Sequence, residues 1–171
     1  ATVYTLSGST VTSIGNNIPQ GSTPSILLLE YENQSPNGAN SVIKSIDALV
    51  PADVTYKFAG SKTLNVSNAN PDVSCAPPPS SYFSVVPTTT GGVYTQNSIT
   101  GVKPEGSFCL YLAVTTSSTS CSAVNWRADA NTGNSITGGQ EFYDFNIQTQ
   151  PYSLTSTTNG CSGILGCDTN S

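Results

Sequence analysis

The sequence predicts an all-β protein, a β-sandwich of the immunoglobulin-like or Greek-key type, and three observations support this fold class. Short runs of β-branched and aromatic residues recur along the 171 residues. Clusters of Gly, Pro, Asn and Ser separate these runs, as turns separate strands. Charged residues make up only 9% of the chain, against roughly 25% in a typical soluble domain. The surface is therefore predicted to be neutral and rich in hydroxyl groups.

Each β-prone run ends at a turn-forming cluster. In chain order the predicted strands are 3–6, 10–14, 25–31, 54–58, 63–66, 82–86, 98–102, 107–114, 123–127, 142–148 and 152–155. The run at 107–114 is continuously apolar after its first residue, which predicts a central strand buried on both faces.

Residues 41–50 fit two alternatives. The apolar residues among them, from Val42 to Val50, have the spacing of one helix face, and Pro51 would end the helix. The same residues can form a strand from 45 to 50. The sandwich is therefore predicted with or without one short helix near 41–50.

The chain divides into four predicted parts. Residues 1–14 form an N-terminal β arm, 15–24 a loose linker rich in Gly, Asn and Pro, 25–157 the sandwich domain, and 158–171 a C-terminal tail closed by a disulfide.

The five cysteines are predicted to form two disulfides and to leave one thiol, in an oxidising compartment. There is no CxxC pair and no histidine, so no metal site and no cofactor are expected. A hairpin near Thr115 would pair Cys109 with Cys121, and Cys161 with Cys167 would close a small loop. Cys75 is then free, or it is an alternative partner of Cys109 or Cys121.

An extracellular or cell-surface location is expected. Asn33 and Asn65 begin N-glycosylation sequons. The chain starts at Ala1 and contains no Met, as expected of a mature exported protein. With a net charge of −5 and five basic residues, the chain is not expected to bind nucleic acid. No apolar run approaches the ~20 residues of a membrane-spanning helix.

The sequence predicts that the protein is not an enzyme. Without histidine it has no Ser–His or Cys–His dyad. The carboxylate pairs Glu30 with Glu32 and Glu141 with Asp144 are interpreted as solvated strand residues. An alternative function is a secreted carbohydrate-binding, lectin-like module that uses exposed aromatic residues, for which the candidates are Tyr82, Phe83, Tyr94, Trp126, Phe142 and Tyr143.

The N-terminal arm, residues 1–14, contains no charge and no proline. It could be the first strand of its own sandwich, or it could be a donor strand that inserts into the open groove of a neighbouring copy. Head-to-tail insertion of this kind builds a filament. The predicted donor residues are Val3, Tyr4, Leu6, Gly8, Thr10, Thr12 and Ile14.

The uncharged arm, the Ser/Thr/Asn-rich strand pattern, the sequons and the low charge resemble those of archaeal thread-type pilus subunits. The resemblance implies an N-terminal donor strand that completes the next subunit's sandwich, and a glycosylated surface. It therefore implies a structural subunit of an extracellular filament for adhesion or cell–cell contact, whose partners are copies of itself and surface glycans.

Overall fold

The computed structural model describes residues 1–15, 17–33, 41–65, 74–96, 99, 101–116, 123–132, 134–136, 139–141, 144–147 and 154–157. The strands are β1 (Thr2–Ser7), β2 (Thr10–Ser13), β3 (Asn17–Pro19), β4 (Gly21–Glu32), β5 (Ser41–Leu64), β6 (Thr89–Gln96), β7 (Ser107–Thr116), β8 (Ala123–Thr132), β9 (Asn134–Ile136), β10 (Gly139–Glu141), β11 (Asp144–Ile147) and β12 (Leu154–Thr157). One 3₁₀ helix spans Ser80–Ser84.

The strands form two layers that share β5. The first layer has the order β2-β1-β4-β7, followed by the second half of β5. The first half of β5 belongs to the second layer and lies between β6 and β8, and β8 pairs further with β11 and β12. The register of β5 with β6 shifts between Val50 and Thr55, where β5 passes from one layer to the other. The all-β prediction is confirmed, and the finer immunoglobulin-like or Greek-key assignment stays a prediction.

Residues 41–50 are a strand, so the alternative of a short helix is wrong. Ile46, Ala48 and Val50 are buried in the core, whereas Leu49 is 43% exposed. This period of two is that of a strand. Ile46 and Val50 are four residues apart, which fits one helix face and one strand face equally well. The hydrogen-bonded ladders with β6 and β8 favour the strand.

Strand β7 is buried on both faces, as the sequence predicts. Its inner face packs against the second layer through four residues of one large core cluster, Phe108, Leu110, Leu112 and Val114. Its outer face contributes Cys109, Tyr111 and Ala113 to a second cluster. The hydroxyl of Tyr31 on β4 donates to the carbonyl oxygen of Asp47 on β5 at 3.1 Å, which links the two layers.

The outer face of β7 is covered by residues 74–88, which we call the strap. A disulfide joins Cys75 in the strap to Cys109 on β7. The hydroxyl of Tyr111 donates to the carbonyl oxygen of Ala76 at 2.7 Å, and Phe83 is buried. The strap contains the 3₁₀ helix Ser80–Ser84, where the sequence predicts a strand.

The predicted Cys109–Cys121 disulfide is wrong, because Cys109 bonds to Cys75. That prediction assumed a hairpin between β7 and the next strand. Instead β7 lies between β4 and β5, and β8 pairs with β5. The alternative pairing of Cys75 with Cys109 is the observed one. Cys121, the predicted Cys161–Cys167 loop and the tail 158–171 lie outside the described residues.

The predicted linker 15–24 is not loose. It contains β3, which pairs in parallel with β12, and the start of β4. Ile18 in β3 is fully buried in the core cluster. The segment is therefore held to the domain by its one large apolar side chain.

The turn before β7 holds a non-glycine residue in a glycine-like conformation. The N–H of Gly106 donates to the carbonyl oxygen of Lys103 at 2.9 Å, and Pro104 and Glu105 lie between them. Glu105 has φ of 62°. This is the pattern of a type II turn, in which glycine is preferred at the position of Glu105.

Replacing Glu105 with Gly is expected to raise the free energy of unfolding by about 0.5–1 kcal/mol, because glycine adopts positive φ without steric cost. Urea unfolding measures this change. Glu105→Ala is the matched control, since it removes the same side chain but keeps the Cβ, and its stability should stay near that of the natural chain. Equal stability of the Gly and Ala variants would contradict the interpretation.

Removing the disulfide is expected to lower the free energy of unfolding. Its cysteines are 34 residues apart, and closing a loop of this size stabilises a protein by about 3–4 kcal/mol, mainly by constraining the unfolded chain. The Cys75→Ala/Cys109→Ala variant should therefore unfold at lower urea concentration than the natural chain without reductant. An unchanged midpoint would show that the strap is held by its packing alone.

Candidate functional site

The N-terminal arm is a hairpin rather than one continuous strand. Ser7 of β1 pairs with Thr10 of β2 across the two-residue turn Gly8-Ser9. Gly8 has φ of 61°, as the first residue of a type II′ hairpin turn requires. The predicted strands 3–6 and 10–14 are confirmed as β1 and β2, whereas the prediction that residues 1–14 continue as one donor strand is wrong. We call residues 2–13 the N-terminal hairpin.

Because the turn reverses the chain, the predicted donor residues do not all lie on one face of a strand. Tyr4, Leu6 and Val11 pack on the outer cluster of the first layer, and Val3 is fully buried in the core cluster between the layers. The other predicted donor residues do not join the Tyr4 face. Gly8 lies in the turn, Thr10 and Thr12 are exposed, and Ile14 is 39% exposed.

The N-terminal hairpin is attached to the first layer along a short ladder. Only Thr2, Val3 and Tyr4 of β1 are in register with β4, opposite Leu28, Leu27 and Ile26. The hairpin ends near Gly15, which has φ of 89° and open space where a side chain would project. Ile18 follows as a fully buried anchor. The carbonyl oxygen of Gly15 accepts a hydrogen bond from the N–H of Val3, so Gly15 belongs to the same unit as the hairpin, and β3 begins at Asn17.

The outer cluster holds both the N-terminal hairpin and the strap. Tyr82 of the strap packs edge-to-face on Tyr111, with ring centroids 5.4 Å apart. The backbone N–H of Cys75 donates to Oε1 of Glu30 at 3.3 Å. Burial raises the pKa of Tyr111, and the nearby Tyr82, Tyr4 and Glu30 raise it further. The hairpin therefore docks beside a strap that the disulfide already holds in place.

The two edges of the first layer differ in charge. Residues 57–64 of β5 pair only with β7 among the described strands, and this edge has Lys57, Lys62 and a register shift between Phe58 and Gly60. Charges and bulges on an edge strand oppose pairing with other chains. The opposite edge, β2, has the sequence Thr-Val-Thr-Ser and none of these features. Among the described residues, the β5 edge therefore has charges and a register shift that oppose strand pairing, and the short β2 edge has neither.

The two sequon asparagines hold the same turn, but they differ in exposure. Asn33 is fully buried, and its Nδ2 donates to the carbonyl oxygen of Val102 at 2.9 Å. Asn65 is exposed, and its Oδ1 accepts a hydrogen bond from the N–H of Lys103 at 2.9 Å. A glycan on Nδ2 would leave that acceptor in place. The structure is compatible with a glycan at Asn65. At Asn33 a glycan would have to replace the buried hydrogen bond of Nδ2, and glycosylation of both asparagines stays a prediction.

The three described aromatic residues of the predicted sugar-binding platform, Tyr82, Phe83 and Tyr94, do not form a common exposed surface. Phe83 is buried and Tyr82 packs on Tyr111. Tyr94 stacks on Phe58 with centroids 6.0 Å apart, and burial together with Tyr56 raises the pKa of Tyr94 to about 12. The side chain of Trp126 and residues 142–143 lie outside the described part.

The described residues contain no group of three or more His, Cys, Asp or Glu side chains placed to hold a metal ion. Among the same residues, no helix has the length and apolar character needed to cross a membrane. Neither a protein-family model nor a curated protein nor a solved structure matches the chain. The functional argument therefore depends on the hairpin, its docking layer and the surface chemistry described above.

Replacing Asn33 with Ala is expected to lower the free energy of unfolding by about 1–3 kcal/mol, because it leaves the buried carbonyl of Val102 without this donor. Asn65→Ala is the matched control, since it removes one hydrogen bond to the same turn at an exposed position, and its loss should be smaller. Urea unfolding compares the two. An equal loss in both variants would show that burial does not distinguish the two asparagines.

Proposed function

We propose that this protein is a structural subunit of an extracellular filament, and that it assembles when the N-terminal hairpin of one copy docks on the next copy. The observation that carries the proposal is the hairpin's attachment. It is an uncharged unit held to β4 through three residue pairs and followed by Gly15 at φ of 89°. Adhesion or cell–cell contact is the role that such a filament would serve.

Docking in a second copy preserves the contacts that the hairpin makes in its own chain. Val3 would enter the same core position, and Tyr4, Leu6 and Val11 would cover the same outer cluster. The free-energy difference between the two forms then depends on the connection from the hairpin to β3 and on protein concentration. A segment that is attached to its sheet through only three register pairs of β1 with β4 is suited to such an exchange.

The exchange is directional, which favours an open polymer. Each copy gives one hairpin and accepts another, so donor and acceptor surfaces differ, and such heterologous contacts continue into a filament unless the rotation closes a ring. The disulfide between Cys75 and Cys109 fits an oxidising environment outside the cell. A glycan at Asn65 would lie near the turn 103–106, where Ser107 begins β7, whereas Gly8 points toward the opposite end of the first layer.

A disulfide placed between β1 and β4 tests the exchange. The N–H of Val3 donates to the carbonyl oxygen of Gly15, and its carbonyl oxygen accepts from the N–H of Ile14. Both groups therefore point away from β4, so the pair of Val3 with Leu27 is not hydrogen-bonded. Such pairs have Cα atoms about 4.5 Å apart, within the disulfide range. The side chains lie on the inner face, away from Cys75 and Cys109. The Val3→Cys/Leu27→Cys protein is first assembled and then oxidised. If the hairpins are exchanged, the new disulfide joins position 3 of one copy to position 27 of the next. Denaturing gels without reductant should then show a ladder of covalent oligomers.

The chain offers a matched control at Thr55 and Thr90, whose Oγ1 atoms are 3.1 Å apart across β5 and β6. Because this pair is not exchanged, Thr55→Cys/Thr90→Cys should remain monomeric on the same gels. Electron microscopy of each variant shows whether filaments form before oxidation. If Val3→Cys/Leu27→Cys forms filaments but runs as a monomer on the gel, the proposal of hairpin exchange is overturned. If the natural chain forms no filaments, the proposal of a filament subunit is overturned.

A further inference from the structure

A cleft of about 500 Å³ lies at the end of the first layer toward which the N-terminal hairpin points. Its lining comes from β4, β5, β7 and the residue before β4. The lining residues are Gln20, Gly21, Ser22, Thr55, Thr115 and Thr116. None of them is charged. Asp53 and Lys57 are two residues to either side of Thr55 along β5 and do not belong to the lining. The cleft is thus made of hydroxyl groups, an amide and backbone.

A bulge in β4 shapes this cleft. Gly21 pairs with Thr116 and Ser25 pairs with Val114, so residues 22–24 lie opposite Thr115 alone. Extra residues on one strand bend that strand and separate it from its partner, and such bulges are frequent next to functional sites. Gly21 has φ of 147° and open space where a side chain would project. Gly21 therefore places no side chain in the part of the cleft next to the register shift.

Three threonines line up across the strands beside the bulge. Thr90 on β6, Thr55 on β5 and Thr115 on β7 are register partners in turn, at the usual interstrand spacing of about 4.8 Å. The Oγ1 atoms of Thr55 and Thr90 are 3.1 Å apart. Thr116 donates its hydroxyl hydrogen to the carbonyl oxygen of Asp53 at 2.9 Å. Two members of the row, Thr55 and Thr115, line the cleft.

The chemistry of this lining selects among ligand classes. Phosphate and carboxylate ligands are recognised by Arg, Lys or clustered N–H groups, and cations by carboxylates, and the lining offers no charged group. A large apolar ligand would need an apolar wall, whereas five of the six lining residues have hydroxyl or amide side chains. Hydroxyl and amide groups that both donate and accept hydrogen bonds complement the hydroxyl groups of a neutral sugar.

We propose that this cleft binds a neutral carbohydrate chain, with Thr55, Thr115 and Ser22 contacting the sugar hydroxyls. The site uses none of the aromatic residues that the sequence predicts for sugar binding. It includes no residue of the N-terminal hairpin, so it stands whether or not the chain forms filaments. In a filament it would give each subunit one sugar site, and in a monomer it would make the protein a lectin-like module.

Titration calorimetry of the full chain tests the proposal. The neutral probes are mannohexaose, cellohexaose and xylohexaose, and the charged probe is hexagalacturonate. At least one neutral probe should bind with Kd below about 1 mM, and the charged probe should not. Thr55→Val and Thr115→Val keep the side-chain shape and remove one hydroxyl, so each should weaken binding about five- to tenfold. Ser22→Trp, at an exposed position, should block the cleft and abolish binding.

Thr63→Val is the matched control, because it makes the same change on β5 outside the cleft, and it should bind as the natural chain does. Urea unfolding of each variant establishes that it is folded. The proposal is overturned if no neutral probe binds more tightly than about 1 mM, or if binding is the same in Thr55→Val, Thr115→Val and Ser22→Trp as in the natural chain. Filament formation is scored separately by electron microscopy, so the two proposals fail independently.

Discussion

The two-sided burial of β7 is the constraint on which the rest of this structure depends. Its residues Phe108 to Val114 are at most 4% exposed, so both faces of the first layer need a cover. The second layer, reached through the change of direction in β5, covers the inner face. The strap and the N-terminal hairpin share the outer face. The Cys75–Cys109 disulfide joins the strap to β7.

How far the sequence predicts the fold depends on whether a pattern is local. The run at 107–114 identifies β7 because its apolar residues do not alternate with polar ones, as expected for a strand that is buried on both faces. The strand 41–50 is ambiguous, because residues four apart suit both helix and strand until the neighbours are known. Strand β6 is not predicted, because Gly91 and Gly92 interrupt its β-prone pattern. In the structure its hydrogen-bonded ladder with β5 holds these residues in a strand. The partner of Cys109 is mispredicted because the strand that follows β7 in sequence is not its neighbour in space.

The two surfaces on which the proposals depend are predicted in composition but not in shape. Low charge and many hydroxyl groups are evident from the sequence, and they describe both the hairpin edge and the cleft. The strands 3–6 and 10–14 are predicted, but their pairing as a hairpin is not, because an uncharged run over 1–14 is also a plausible single donor strand. The cleft depends on residues 22–24 lying opposite Thr115, and nothing in the order of residues indicates this pairing. The burial of Asn33 likewise depends on the turn before β7, so two identical sequon patterns have different surroundings.

The disulfide also changes how the chain would respond to tension. A chain pulled at its two ends lengthens only through residues that the force can straighten, at about 3.3–3.6 Å per residue. Cys75 and Cys109 are 34 residues apart, so the bond shields roughly 110–120 Å of chain length from extension. That shielded stretch contains the strap, β6 and the start of β7. Under tension, the end-to-end length of the protein would therefore increase by less than that of a chain without the disulfide, even after its outer strands had unfolded.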